Sequence, residues 1–222
     1  MSLTIPESLF LLSRKNDDGE KQGHMVEYAI AGGALADLMF RGRIAPDPDK
    51  PKKLVIEDAS PVDDAFLNHC LETIVKKGPG KSISDYVWKL GNSSDLMRMQ
   101  AESLVRQGIL HEDKKSFLMF SWKNYPEANG QPEADMISRL SKAIAGKIDL
   151  SQEDCVTIAL ADKTFLLRKN FDKDLIKQNK DRIKAISKGA IGPTKAAMQA
   201  IDIVFTAIIA ATVTSTGAAS SG

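Results

Sequence analysis

Three histidines, two cysteines and 29 carboxylates are what this chain would have to use for covalent or metal chemistry. His24, His69 and His111 lie far apart. None has a second donor three or four residues on, the spacing that sets two ligands on one helix face over a metal ion. Cys70 and Cys155 lack a Cys-x-x-Cys partner and sit in apolar, periodic stretches, so they read as buried free thiols of a reducing compartment. The acidic doublets Asp17-Asp18, Asp63-Asp64 and Glu112-Asp113 fall at turns and helix starts, where capping and solvation account for them. Gly78-Pro79-Gly80-Lys81-Ser82 ends like a phosphate loop, but its upstream glycine is misplaced and no buried strand precedes it, so it reads as a helix connection. Neither a Gly-x-Ser-x-Gly elbow nor a His-Glu-x-x-His pair occurs. These residues predict a binding protein, not an enzyme: no catalytic residue, no metal and no cofactor.

Cations are the remaining chemistry. Lys and Arg number 30 against 29 Asp and Glu, a net charge of +1, so any attraction for an anion has to come from a local patch. Arg41 and Arg43 close an apolar run and have two readings. They cap the carbonyl end of a helix, with Gly42 supplying the left-handed stop, or they contact an anion.

The elements that must position such groups are mostly helices. Val26 to Ile44 is the organising stretch: Ala, Leu, Met and Gly make both of its faces apolar, as in a helix buried among helices. Its small residues Ala29, Ala31, Gly32, Gly33 and Ala34 let neighbouring backbones come close. Before it, Thr4, Pro6 and Glu7 carry the start signals of a short helix ending at Leu12, and Asn16 to Gly19 forms a turn. A charged, Pro-rich loop leads to a short strand at Leu54-Val55-Ile56. Ser60 and Pro61 then open a helix through Phe66, Cys70 and Ile74, Ser82 a second, and Ser94 or Asp95 a third that ends at Gly108. Ile109-Leu110 and Ser116 to Phe120 read as a hairpin turning at His111 to Lys115. Further helices follow from Glu133, Ser151, Asp172 and Pro193, and Asp172 to Ser187 reads as one Lys-rich helix. The fold class is mainly α: one helical-bundle domain over 1–213 around a central buried helix, with one or two small β-hairpins and a disordered tail over 214–222.

Hydrophobic residues make up 43% of the chain and charged residues 27%, ordinary for a globular protein. The apolar run Ile201 to Val213 is too short to span a bilayer and contains Asp202. No secretory leader opens the chain. The expected location is the cytoplasm, with peripheral contact at a membrane surface.

Several stretches resemble the Golgi phosphoprotein 3 family. They are Leu3-Thr4 to Leu11-Leu12 with Asp18-Gly19, then Leu35-Ala36-Asp37-Leu38-Met39-Phe40-Arg41-Gly42-Arg43-Ile44, and Leu104-Val105-Arg106-Gln107-Gly108-Ile109-Leu110 with Phe117-Leu118-Met119-Phe120. The resemblance implies a helical domain that binds the head group of phosphatidylinositol 4-phosphate at a membrane and, in eukaryotic members, adapts glycosyltransferase tails. The family's pocket Arg falls at about Ala31, its Trp near Gln22 or Gly23, and its Arg pair near Ser94 and Met97, so the family's residue types are absent. Arg98, Lys21, His24 and Arg41 remain as the candidate head-group or anion-binding residues. The expectation is an acidic-phospholipid-binding adaptor of low head-group specificity, with a protein client as a second partner. A rival reading comes from the helix, helix, helix, hairpin order of Ser60 to Phe120, that of a winged helix, which would put Asp95 to Gln107 in a DNA groove. Its few cations stand among acids, so nucleic acid is not the expected partner.

Overall fold

Thr4 begins helix α1 (Ile5–Leu12) through a complete capping box: its side chain accepts the Glu7 N–H and the Glu7 carboxylate accepts the Thr4 N–H. The computed structural model describes residues 3–14, 21–117 and 120–192 together with Asp202, Val204, Thr206 and Ile208, the side chains of 115–122 excepted. The expected turn at Asn16 to Gly19, most of the helix expected from Pro193 and the tail over 214–222 lie outside these residues.

Helix α2 (Val26–Phe40) is the centre. It packs against α1 and α3 (Ala65–Lys77), against α4 (Ile83–Gly91) and α5 (Leu96–Arg106), and against α7 (Gln152–Lys163). From Ala29 to Leu38 every residue is buried. The small residues do what their size permits. A Cβ on Gly33 would stand 2.8 Å from Ile5 Cγ2, and one on Gly32 would stand 2.5 Å from Val204 Cγ1. Asp37 is buried in the same helix and accepts the Ile5 N–H at 3.0 Å, which pins the start of α1 to it. Burial raises the Asp37 pKa, against the lowering effect of that N–H and of Arg41. The helix ends at Arg41 as C-cap with Gly42 at φ +66°, as the stop signal predicts.

Strands β1 (Ile44–Pro46) and β2 (Leu54–Ile56) form one antiparallel pair, and β3 (Asp113–Phe117) and β4 (Phe120–Asn124) another. Two expected boundaries move. The helix expected from Ser60 starts at Ala65 with Asp64 as N-cap, because the Asp64 carboxylate takes the Leu67 N–H at 2.7 Å. Residues before it are instead held by Asn68, whose side chain bonds both the N–H and the carbonyl of Val62. The second hairpin is shifted toward the C-terminus. Asp113 to Lys115 belong to a strand paired with Lys123 and its neighbours, while Leu110 bridges Glu127.

Helix α6 (Gln131–Ile144) packs on α1 and α7. Beyond α7 the chain runs through α8 (Leu166–Asn170), α9 (Lys173–Gln178) and α10 (Lys180–Ser187). The single helix expected from Asp172 to Ser187 is broken at Asn179, whose side-chain amide donates back to the Leu175 carbonyl at 2.9 Å. Ser82 and Ser151 cap α4 and α7 as their positions predict. Cys70 and Cys155 are free and buried, and burial raises both thiol pKa values, that of Cys155 to about 11. One apolar core joins all these helices. No helix among the described residues is long and apolar enough to cross a membrane.

Candidate functional site

The N-terminal end of α2 is where cations gather. Helix α1 delivers Arg14 just past its last turn, and its guanidinium lies 4.9 Å above the Phe10 ring. The backbone at Arg14 bridges that of Lys21, so the chain entering α2 runs beside the end of α1. Gln22 fixes this junction. Its amide nitrogen donates to the carbonyls of Leu12 and Arg14 and to Asn170 Oδ1, at 3.1, 3.2 and 3.1 Å.

Opposite Arg14, the start of α5 presents Met97 and Arg98, and the end of β4 presents Lys123 followed by Tyr125. These five residues line an open cleft of about 310 Å3. Arg98 bridges Asp95 and Glu102, both at 2.9 Å, and these two acids hold its pKa above the ordinary range. Lys123 pairs with Glu112 at 2.8 Å, which raises its pKa as well. Burial lowers the pKa of the Arg14 guanidinium, an effect opposed first by Glu27 and then by Tyr125. Burial also raises the Tyr125 pKa, and its hydroxyl has no hydrogen-bond partner among the described residues. The cleft thus combines three cations, one phenol and an apolar thioether floor, and each cation has an acid as a neighbour. Such a set can hold a phosphate or carboxylate by charge-assisted hydrogen bonds, in competition with those acids. Among the described residues no group of three His, Cys, Asp or Glu is placed to hold a metal ion.

The four residues singled out from the sequence do not all meet. Arg98 lines the cleft; Lys21 does not line it, its backbone bridging that of Arg14 and its ammonium pairing with Glu27 in the first turn of α2. His24 is exposed just beyond, with its backbone N–H on the Thr164 carbonyl at 3.0 Å. Arg41 is at the other end of α2, about 20 Å away at 1.5 Å per residue. There its Nε bonds Asp37 at 3.1 Å, and it shares a separate cleft of about 300 Å3 with Glu7, Asp63, Asp64 and Arg106. With three acids to two cations that cleft is a poor anion site, and the capping reading of Arg41 accounts for its geometry.

Arg14, Lys123 and Tyr125 were not legible as site residues. Each is unremarkable in its own segment, and only the packing of α1, α5 and the second hairpin brings them together. The positions where the resemblance puts the family's pocket residues fall only partly at this cleft. Met97 lines the cleft, Gln22 donates to the carbonyl of the cleft residue Arg14, Ser94 is exposed three residues before Met97, and Ala31 is fully buried.

The helix, helix, helix, hairpin order of the winged-helix reading is present as α3, α4, α5, β3 and β4. Its third helix buries Leu96, Gln100, Ala101, Ser103 and Leu104, and its Arg98 is held by two acids, which leaves little for a phosphate backbone.

Fold and cleft together define a mainly helical protein with an open cationic site at one end of a buried central helix. The family model described as Golgi phosphoprotein 3 (GPP34) matches residues 5–203, and the chain belongs to that family. It is similar to vacuolar protein sorting-associated protein 74 of Schizosaccharomyces pombe, 24% identical over 179 residues that cover 66% of this chain and 49% of that protein. The chain therefore spans about half the length of this relative.

Proposed function

We propose that this chain is a non-enzymatic, peripheral membrane protein that takes the anionic head group of a phospholipid, phosphoinositide-like, into the cleft of Arg14, Met97, Arg98, Lys123 and Tyr125. The reading is carried by the convergence of three cations, Arg14 just after α1, Arg98 on α5 and Lys123 on β4, on one open cleft. Met97, one of the positions the family resemblance marks, also lines it and supports the reading. Lys21, whose backbone bridges that of Arg14, adds a cation on the approach to the cleft, and exposed His24 lies three residues further on. Arg41 takes no part.

Specificity in this reading is low. The cations that line the cleft must be shared with Asp95, Glu102 and Glu112, and the family's own pocket types are replaced at Ala31, Ser94 and Met97. An anion therefore gains Coulomb attraction and a few hydrogen bonds without a rigid, pre-arranged cage. A protein client is the second partner in this reading, following the adaptor role that the family resemblance implies. No observation favours nucleic acid over lipid in the cleft.

Vesicle flotation with wild type and with the double variant Arg98→Glu/Lys123→Glu tests the proposal. Wild type is expected to float with vesicles containing phosphatidylserine and to stay behind with pure phosphatidylcholine. The double variant is expected to lose at least tenfold in partition while keeping its far-ultraviolet circular dichroism. Equal flotation of the two proteins contradicts this site.

A further inference from the structure

Phe165 is the most exposed large hydrophobic residue among the described residues, at 47%, and it is also conformationally out of place. Its φ of +63° puts a bulky side chain in the left-handed region, where Cβ crowds the backbone and Gly or Asn is the ordinary occupant. Only one other described non-glycine residue, Met25, has a positive φ, and the two are neighbours in space. His24, next to Met25, donates its N–H to the carbonyl of Thr164, next to Phe165. Strain of this kind gathers where surrounding structure holds a residue for a purpose other than stability.

The surroundings do hold it. Thr164 Oγ1 bonds the Leu160 carbonyl at 2.8 Å and closes α7. Leu166 and Leu167 on the following turn are fully buried, which anchors the chain and leaves Phe165 outside. The Arg168 guanidinium lies 5.7 Å from the centre of the Phe165 ring. Gln22 ties the helix after this bend to the cleft residue Arg14, donating to both Asn170 Oδ1 and the Arg14 carbonyl.

Charge singles out the same segment. From Asp162 to Lys188 there are nine Lys and Arg against four Asp, a local charge of +5 in a chain whose total is +1. Eight of those nine cations are exposed, Arg182 alone being half-buried. An exposed aromatic ring with Arg168 on its face, in a segment with an excess of exposed Lys and Arg, matches the interface of an anionic bilayer. There a ring enters the acyl boundary while Lys and Arg reach lipid phosphates.

We propose that the Thr164–Phe165 bend and the basic run through α8, α9 and α10 form a second membrane contact, with the Phe165 ring inserted into an anionic bilayer beside the head-group cleft. This rests on the lipid-binding reading above and adds a wedge that the cleft does not supply. The strained backbone keeps the ring outside the core, and the cations around it select the anionic surface.

Phe165→Trp and Phe165→Asn in the full chain test it, with vesicles of phosphatidylcholine containing 30 mol% phosphatidylserine. On vesicle binding, Phe165→Trp emission is expected to shift to the blue relative to the wild-type background from Trp88 and Trp122, and to be quenched by lipids brominated near the carbonyl end of the chain. Phe165→Asn, whose side chain tolerates the left-handed backbone, is expected to keep or raise the thermal midpoint while losing about fivefold or more in vesicle partition. A Phe165→Asn protein that binds within twofold of wild type, or an unshifted Phe165→Trp emission on bound vesicles, overturns the wedge and leaves the cleft standing. Failure of wild type to bind anionic vesicles overturns both. Binding of a 30-nucleotide RNA that depends on Phe165, without vesicle binding, names nucleic acid as the occupant and overturns the proposal.

Discussion

Arg98 bridges Asp95 and Glu102 on its own helix, and this decides how it can serve an anion. Exposed ion pairs of this kind contribute little to stability, so an incoming phosphate competes with weak bonds. Arg98→Ala is expected to lower partition onto anionic vesicles about fivefold and to leave the thermal midpoint nearly unchanged. Glu102→Gln removes one competitor and is expected to raise partition about two- to fivefold. Vesicle sedimentation reads both, and a fall in affinity for Glu102→Gln contradicts the competition. Glu133 makes a different statement, about folding. It is buried near the start of α6 with Oε1 lacking a hydrogen-bond partner among the described residues, and burial, assisted by Glu127, raises its pKa from 4.5 to about 7. Between these values the unfolded chain has lost the proton and the folded chain keeps it. Stability therefore falls as pH rises through that window, by roughly 3 kcal/mol for this group. Urea unfolding should find Glu133→Gln gaining on wild type from pH 5 to pH 8, with no gain below pH 4. The opposite trend would mean that Glu133 is charged in the fold.

At the scale of elements, much was legible because single residues dictate ends. Thr4 with Glu7, Ser82 and Ser151 announced three helix starts through their own side-chain bonds, and Gly42 announced the end of α2 by needing a positive φ. Boundaries failed where two candidates competed. Asp64 displaced Ser60 because its carboxylate reaches the Leu67 N–H, and Asn179 broke a helix whose apolar period runs on through it. The second hairpin moved because Leu110, which reads as a strand residue, pairs with Glu127 instead of the strand expected at Ser116 to Phe120. The glycine pair in α2 is a packing feature with a cost attached. Gly33→Ala gains helix propensity of just under ~1 kcal/mol but pushes a methyl to 2.8 Å from Ile5, which is held by its N–H bond to Asp37. The net expectation is a loss of about 1–2 kcal/mol in chemical unfolding, since overpacking a fixed neighbour outweighs propensity. A stabilised Gly33→Ala would mean that α1 can slide on α2.

Across the whole molecule, a total charge of +1 conceals a division. Residues 162–188 carry an excess of five positive charges, and the rest of the chain carries the compensating negative excess. Composition alone argues against an anionic partner, and only the placement of charge restores one. The cleft was half legible for the same reason. Arg98 and Lys21 stand next to positions the family resemblance marks; Arg98 lines the cleft, and Lys21 adjoins Arg14 through its backbone. Arg41 belongs to a motif that is a helix stop at the far end of α2. Arg14, Lys123 and Tyr125 needed the tertiary packing. Binding dominated by spread charge should weaken steeply with salt. Raising NaCl from 50 to 500 mM is expected to lower vesicle partition at least tenfold, whereas binding through a rigid pocket would change far less.

The most direct measurement is flotation of the full chain with two vesicle sets matched for surface charge, one containing phosphatidylinositol 4-phosphate and one phosphatidylserine. A charge-reading cleft without the family's pocket residues predicts binding to both sets within about tenfold, and no binding to neutral phosphatidylcholine. A strict, high-affinity requirement for phosphatidylinositol 4-phosphate, or equal binding to neutral vesicles, would contradict it.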